Sequence, residues 1–177
     1  CTDIGVVEYD LEALEVRDTW KLELNGQQLS VRAAVLSAGK WWLATSAGLW
    51  SAAENAAFPG DPATWELEEG LSLLGAEDLY DVVVGDDGRL AVLERRQGPD
   101  AIWVAQAGVP SWTEVTAGLM EDWTGLTSGG VSLWATTPFG ILETTAAWEP
   151  DVLRGNVGSV YLQPNGAAAV AGGCWVA

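Results

Sequence analysis

A tryptophan that opens a short polar, alternating run recurs four times along the chain, at TWKLELNG (19–26), TWELEEG (64–70), SWTEVTAG (111–118) and AWEPDVLRG (147–155). The residues that mark it, Trp20, Trp65, Trp112 and Trp148, stand 45, 47 and 36 residues apart. A period in this range signals a repeat architecture, so every other feature has to be placed within a unit before it is interpreted. A second feature, an apolar run, a short turn and an apolar pair, recurs as WWLATSAGLW (41–50), LAVLERRQGPDAIW (90–103), LWATTPFGIL (133–142) and AAAVAGGCWV (167–176). A third precedes each of these: VRAAVLSAGK, LYDVVVGDDGR, WTGLTSGGV and VGSVYLQPNG each read as a short strand running into a glycine-containing turn. In DDG (86–88) and PNG (164–166), Asp, Asn and Gly tolerate the positive φ that tight hairpins demand.

Each unit therefore reads as strand, hairpin, strand, turn, strand, loop, strand, and no segment longer than about ten residues carries a helical period. Four short strands per unit is the pattern of a β-propeller blade. A blade cannot bury both faces alone, so neighbours stack and the repeated tryptophans become packing between them. The expected fold is all-β: a small propeller of about four blades, each of four antiparallel strands, in a single domain over residues 1–177. The units fall at about 31–70, 79–118, 123–155, and 156–177 plus 1–29, the last blade being closed by both termini. In this scheme TWKLELNG is the outer strand of that last blade, and DIGVVEYD (3–10) is a surplus strand that competes with CWVA (174–177) for one place.

Composition narrows the function. With 49% apolar and 19% charged residues, a chain of 177 can bury a substantial core and lies outside the range of disorder. Its 25 acidic side chains against 8 basic ones, a net charge of −17, would repel nucleic acid, which is not expected as a partner. No stretch of about 18 apolar residues offers a membrane-spanning helix. Histidine is absent, which removes the commonest general base, Ser-His-Asp and Cys-His arrangements, and imidazole ligands for zinc. Oxygens from acidic loops suit calcium, but the GDDG turn lacks the spacing of an EF loop, and no metal site or cofactor is assigned.

The stretch LATSAGLWS, with DPATWELEEGL after it, resembles the blades of BNR or Asp-box propellers, found in sialidase-like proteins and in photosystem II assembly-factor propellers. The similarity covers roughly residues 31–155 in three units, and it is degenerate: the Asp-box pattern S-x-D-x-G-x-x-W is intact nowhere. Sialidase activity in that family needs an arginine triad, a Tyr-Glu pair and an acid-base Asp. None of Arg17, Arg32, Arg89, Arg95, Arg96 or Arg154 can be matched to the triad, so the resemblance implies a fold without its catalysis, and no catalytic residue is assigned.

The two cysteines, Cys1 and Cys174, are too few and too far apart for a CxxC-type metal or redox site. A chain beginning at Cys resembles a mature bacterial lipoprotein, with Cys1 lipidated. The alternative is a Cys1–Cys174 disulfide, which the chain-entropy model values at roughly 4 to 5 kcal/mol. The two compete for one sulfur, and both imply export to the periplasm or outer cell surface.

For contact surfaces, adjacent Trp41 and Trp42 must point to opposite sides of a strand, which leaves Trp41 outside the core that takes Trp42. The insertion AAENAAFPGDPA (52–63) carries the apolar step Phe58–Pro59, and ERRQGPD (94–100) carries the local basic pair Arg95–Arg96. Loops of this kind commonly carry recognition. Carboxylates such as Glu68, Glu69, Asp78, Asp81, Asp86 and Asp87 could be paired for glycoside hydrolysis, but with 25 acids neighbouring pairs arise by chance. The expected function is that of a non-catalytic exported scaffold that binds protein, concretely an extrinsic accessory subunit of a membrane complex, touching the membrane only through a lipid on Cys1. A carbohydrate-binding module using exposed tryptophan is the alternative, and a glycoside hydrolase-like enzyme the third reading.

Overall fold

The structure, a computed structural model, describes residues 3, 5–106, 109, 111–117, 119, 122–130, 132–138, 140–144, 147–155, 167–170 and 173–176, with side-chain surroundings described up to residue 149. Its strands form three four-stranded and three two-stranded antiparallel sheets. A hairpin of β1 (Val6–Asp10) and β2 (Glu15–Trp20) is followed by a small one of β3 (Glu23–Leu24) and β4 (Gln27–Gln28). The first meander is β5 (Val31–Ser37), β6 (Lys40–Thr45), β7 (Gly48–Ala53) and β8 (Glu66–Leu67), then a one-turn helix α1 (Glu69–Ser72). The second is β9 (Leu79–Val84), β10 (Arg89–Glu94), β11 (Ala101–Gln106) and β12 (Thr113–Glu114). The third is β13 (Gly125–Gly129), β14 (Ser132–Thr136), β15 (Gly140–Thr144) and β16 (Pro150–Gly155), and β17 (Ala167–Val170) pairs with β18 (Gly173–Val176).

The repeat read from the sequence is visible in these turns. Asn25 and Gly26 both take positive φ to join β3 to β4, as an Asn-Gly hairpin should. In the tight connection from β6 to β7, Thr45 Oγ1 donates to Gly48 O at 2.8 Å, and two units later Thr137 Oγ1 donates to Gly140 O at 3.3 Å. The ATSAG and TTPFG segments thus close the same loop with the same side chain.

Apolar runs such as WWLA and LAVL do not alternate with polar residues because each four-stranded sheet is covered on both faces. On β10, Leu90 and Val92 turn toward the first meander, where they meet Trp42, Ala44 and Leu49. Ala91 and Leu93, one residue out of phase, turn to the third meander and meet Trp123, Leu133 and Leu142. On β6 the same division sends Trp42 to the second meander and Leu43 to the N-terminal hairpins, among Trp20, Leu22, Trp50 and Trp65. Strand alternation thus supplies two cores from one strand.

The first strands of successive sheets, β5, β9, β13 and β17, are neighbours in space. Side chains stitch them by engaging backbone groups left at the sheet edges. Arg32 on β5 pairs with Asp78 and donates to Leu79 O; Leu126 N on β13 donates to Asp81 Oδ2 of β9 at 2.8 Å; Ser128 Oγ donates to Val84 O at 2.6 Å. Burial raises the Asp81 carboxyl above its ordinary value and outweighs the two backbone N–H donors, from Leu126 and Val82, that favour its charge.

Two expectations are revised. The strand read across TWELEEG is only two residues long, because the chain turns into α1 to bury Leu71 between the first two meanders. At the N-terminus, the supposed surplus strand pairs with the segment that ends at Trp20, and Trp20 packs on the first meander. Among the described residues β1–β2 and β17–β18 are separate sheets, so the expected joint blade of the two chain ends is not formed there.

Two outcomes follow from this packing. A Cβ at Gly85 would stand 2.6 Å from Cζ2 of the fully buried Trp148, so Gly85→Ala should lower stability by about 1 to 3 kcal/mol in urea melts. For Asp81, a folded pKa above the unfolded one means stability present at low pH and lost as pH rises through the folded value. Asp81→Asn, which cannot ionise, should therefore gain on the wild type as pH rises above about 4, the ordinary carboxylate value. A difference that stays constant across those melts would show that the carboxyl titrates normally.

Candidate functional site

Trp20, Trp41 and Trp65 arrive from three separate stretches of chain and meet beside the first meander. The Trp20 and Trp41 rings lie edge to face at 5.4 Å, and Trp20 is 5.9 Å from Trp65 at a tilt of 40°. Trp65 Nε1 donates to Pro59 O at 2.9 Å, while Thr64 Oγ1 and Asp61 N both donate to Phe58 O. The long insertion is thereby pinned at its apolar step instead of hanging free. Its return brings Gly60 so close to β2 that a Cβ there would lie 3.6 Å from Thr19 O.

Between this loop and the β1–β2 hairpin lies a cleft of about 690 Å³. Its apolar lining is Val6, Val7, Trp20, Trp41, Ala56 and Pro59; its charged lining is Glu8, Arg17, Asp18 and Glu54. Glu8 and Arg17 pair at 3.0 Å across the hairpin. Asp18 accepts the backbone N–H of Thr19 at 2.7 Å. Among the described residues no group of three or more Asp, Glu or Cys is placed to hold a metal ion. Phe58, 73% exposed, stands next to Pro59 at the rim, and the far end of the hairpin exposes Tyr9, Leu11, Leu14 and Val16.

Of the residues singled out from the sequence, Trp41 and Pro59 share this cleft and Phe58 adjoins it. Trp42 lies on the opposite face of β6, in the core. Arg95 and Arg96 lie elsewhere, in a groove of about 550 Å³ with Glu77, Asp78 and Glu94. Both are engaged within the fold. Arg95 pairs with buried Asp100, which also accepts Trp123 N at 3.0 Å, and it lies 4.4 Å from the Tyr80 ring centroid. Arg96 pairs with buried Glu94 and with Glu114 and lies over Trp103. Burial pulls the Arg96 pKa down, but Glu94 and Glu114 more than offset it and hold the guanidinium above its ordinary value. Cys1 lies outside the described residues, and Cys174 stands on β18 opposite Ala169.

Sequence reasoning did not find Glu8, Arg17, Asp18 or Glu54 as companions of Trp41. Asp10 Oδ1 accepts the N–H groups of Glu12 and Ala13 at 2.8 and 2.9 Å, and this Asp-centred turn folds β1 onto β2. Those bonds hold the Asp10 carboxyl below its ordinary value. An Asp immediately ahead of the turn, two and three residues before the N–H groups it accepts, was the available signal, in a stretch with no Gly, Pro or Asn.

No protein-family model matches the chain, and no curated protein sequence matches it. Among solved structures it is similar to the extracellular domain of BT4673 from B. thetaiotaomicron, described as a one-component system, with a TM-score of 0.73 at 15% identity over 99% of this chain and 25% of that one. It is also similar to PorZ, a bacterial surface component of the type-IX secretion system of Porphyromonas gingivalis, with a TM-score of 0.66 at 14% identity over 99% of this chain and 21% of that one. The chain thus spans a fifth to a quarter of the length of these neighbours, and identities this low establish likeness of fold alone.

Trp65→Phe keeps the ring packing but removes the donor to Pro59. It should cost about 1 kcal/mol and speed proteolytic cleavage within residues 54–60, read by limited digestion of the folded protein. Unchanged cleavage would mean the loop is held by its other contacts.

Proposed function

We propose that this chain is a run of propeller blades in an exported protein, and that it acts as a non-catalytic scaffold binding another protein through the Trp41 cleft and the Phe58 rim. The observation that carries this reading is the cleft itself: an aromatic and apolar lining, pinned by Trp65, opens beside an exposed Phe58, and the far end of the same hairpin exposes further apolar side chains. Exposed apolar side chains gathered in one region are characteristic of interaction sites. The three meanders stacked face to face, with their first strands adjacent, support blades. Export is supported by the surface and extracellular settings in which the two similar structures are described. No helix among the described residues is long and apolar enough to cross a membrane, and attachment would come through a lipid on Cys1.

The non-enzymatic reading rests on how the acids are used. Asp78, Asp87, Glu94, Asp100 and Glu114 are each paired with an arginine, and Asp81 accepts backbone N–H groups. Fold likeness does not transmit function, so the site has to be tested directly.

Co-purification from native membranes should recover a protein partner with the tagged wild-type chain. Trp41→Ala and Phe58→Ala should each lower that recovery about tenfold, as loss of an aromatic anchor does. Recovery unaffected by either change, or turnover of a glycoside by the chain, would overturn the proposal. Intact mass of the N-terminal peptide decides between a lipid on Cys1 and a link to Cys174.

A further inference from the structure

Cations over aromatic rings are a recurrent device in this fold. Lys40 Nζ lies 5.9 Å from the Trp42 ring centroid, and the guanidinium of Arg89 lies 4.7 Å from Trp148. Arg96 lies 5.4 Å from Trp103, while Arg32 and Arg95 lie 5.7 and 4.4 Å from Tyr80. Several of these cations also meet a carboxylate, as Arg96 meets Glu94 and Arg95 meets Asp100. Ring, cation and acid recur as a set.

In the cleft a ring and two of the acids stand without a cation joining them in this way. Trp41 is half-buried, its ring lines the cleft, and among the described residues no basic side chain lies over it. Arg17, the one base in the lining, is paired with Glu8. Among the described residues the Asp18 carboxylate accepts only the backbone N–H of Thr19, and the Glu54 carboxylate makes no hydrogen bond or ion pair. An aromatic face and two carboxylates without a cation, in a chain of net charge −17, favour a positively charged occupant. The volume suits a long side chain with its flanking backbone, within the usual range of ligand clefts.

Resting on the scaffold reading above, we propose that the cleft receives an arginine or lysine side chain from an extended segment of the partner protein, its cation held by the Trp41 ring and by the carboxylates of Asp18 and Glu54. A neutral sugar would stack on Trp41 but leave both charges uncompensated, and an anionic ligand would be repelled. Val6, Ala56 and Pro59 would take the aliphatic stem, as apolar surface does for long basic side chains.

The test uses the full chain and a fluorescein-labelled Gly-Ser-Arg-Gly-Ser-Arg-Gly peptide, beside the same peptide with citrulline, the neutral isostere, in place of arginine. Fluorescence polarisation should show the arginine peptide bound and the citrulline peptide weaker by about tenfold or more. Binding should weaken with added salt. The double change Asp18→Asn, Glu54→Gln should lower affinity by a similar factor, as should Trp41→Ala, whereas Glu23→Gln on β3, outside the cleft, should not. The double variant keeps the Trp cluster intact, so loss of binding there is not loss of fold. Equal affinity for the two peptides, no binding of either, or unchanged binding by the double variant would overturn the inference. If the native partner is still recovered in a Trp41-dependent way under those outcomes, the scaffold reading stands without a cationic ligand. If neutral oligosaccharides bind in a Trp41-dependent way and no protein is recovered, both fail.

Discussion

Burial of the four-stranded sheets on both faces is the constraint from which the rest of this structure follows. A four-stranded meander with apolar residues at successive positions has no stable state in water by itself; it needs a neighbour on each side. The strand β10 shows this most plainly, giving Leu90 and Val92 to one interface and Ala91 and Leu93 to the other. Large rings fill these interfaces even where that leaves buried indole N–H groups of Trp20, Trp42, Trp112 and Trp123 without a partner among the described residues. An unmet buried donor costs about 1 to 3 kcal/mol, so the packing of the ring has to exceed that. Trp148 makes the same point through its backbone: it takes φ of 62°, unusual for a bulky residue, while its ring lies against Gly85 of the preceding meander.

Stacking fixes the faces but leaves sheet edges to be dealt with. Here adjacent sheets use side chains to satisfy each other's first strands, with Asp81, Ser128 and Arg32 reaching across to backbone groups. Such bonds blunt edges that would otherwise be open to pairing with another chain. They also set the stagger between sheets, since each reaches one particular amide or carbonyl.

The units were legible in the sequence because their markers are local. Tryptophan positions, glycine turns and apolar runs each report on structure within about ten residues, and Thr45 and Thr137 occupy matching places in matching loops. The opposite orientations of Trp41 and Trp42 were legible for the same reason, from strand alternation. What could not be read was which distant segments meet. The N-terminal strand was expected to join the other end of the chain, but an Asp10-centred turn lets it pair locally, and Trp20 then seals against Trp41 and Trp65. The cleft is made by that sealing, so its charged members had no spacing to betray them. Arg95 and Arg96 looked available as a basic pair because their acid partners, Asp100, Glu94 and Glu114, differ in no visible way from the other acids of an acid-rich chain.

The ion pairs have a consequence that reaches beyond the molecule's own surface. Each of Arg17, Arg32, Arg89, Arg95 and Arg96 is matched to a nearby carboxylate, so these positive charges are cancelled at short range. A body approaching within about a Debye length, roughly 10 Å, meets a field to which the surplus acids contribute most. Such a field sorts encounters before contact: it slows collisions between copies of the chain and quickens the arrival of positively charged bodies. The speed of capture is then governed by ionic strength, independently of how well the surfaces fit once they touch.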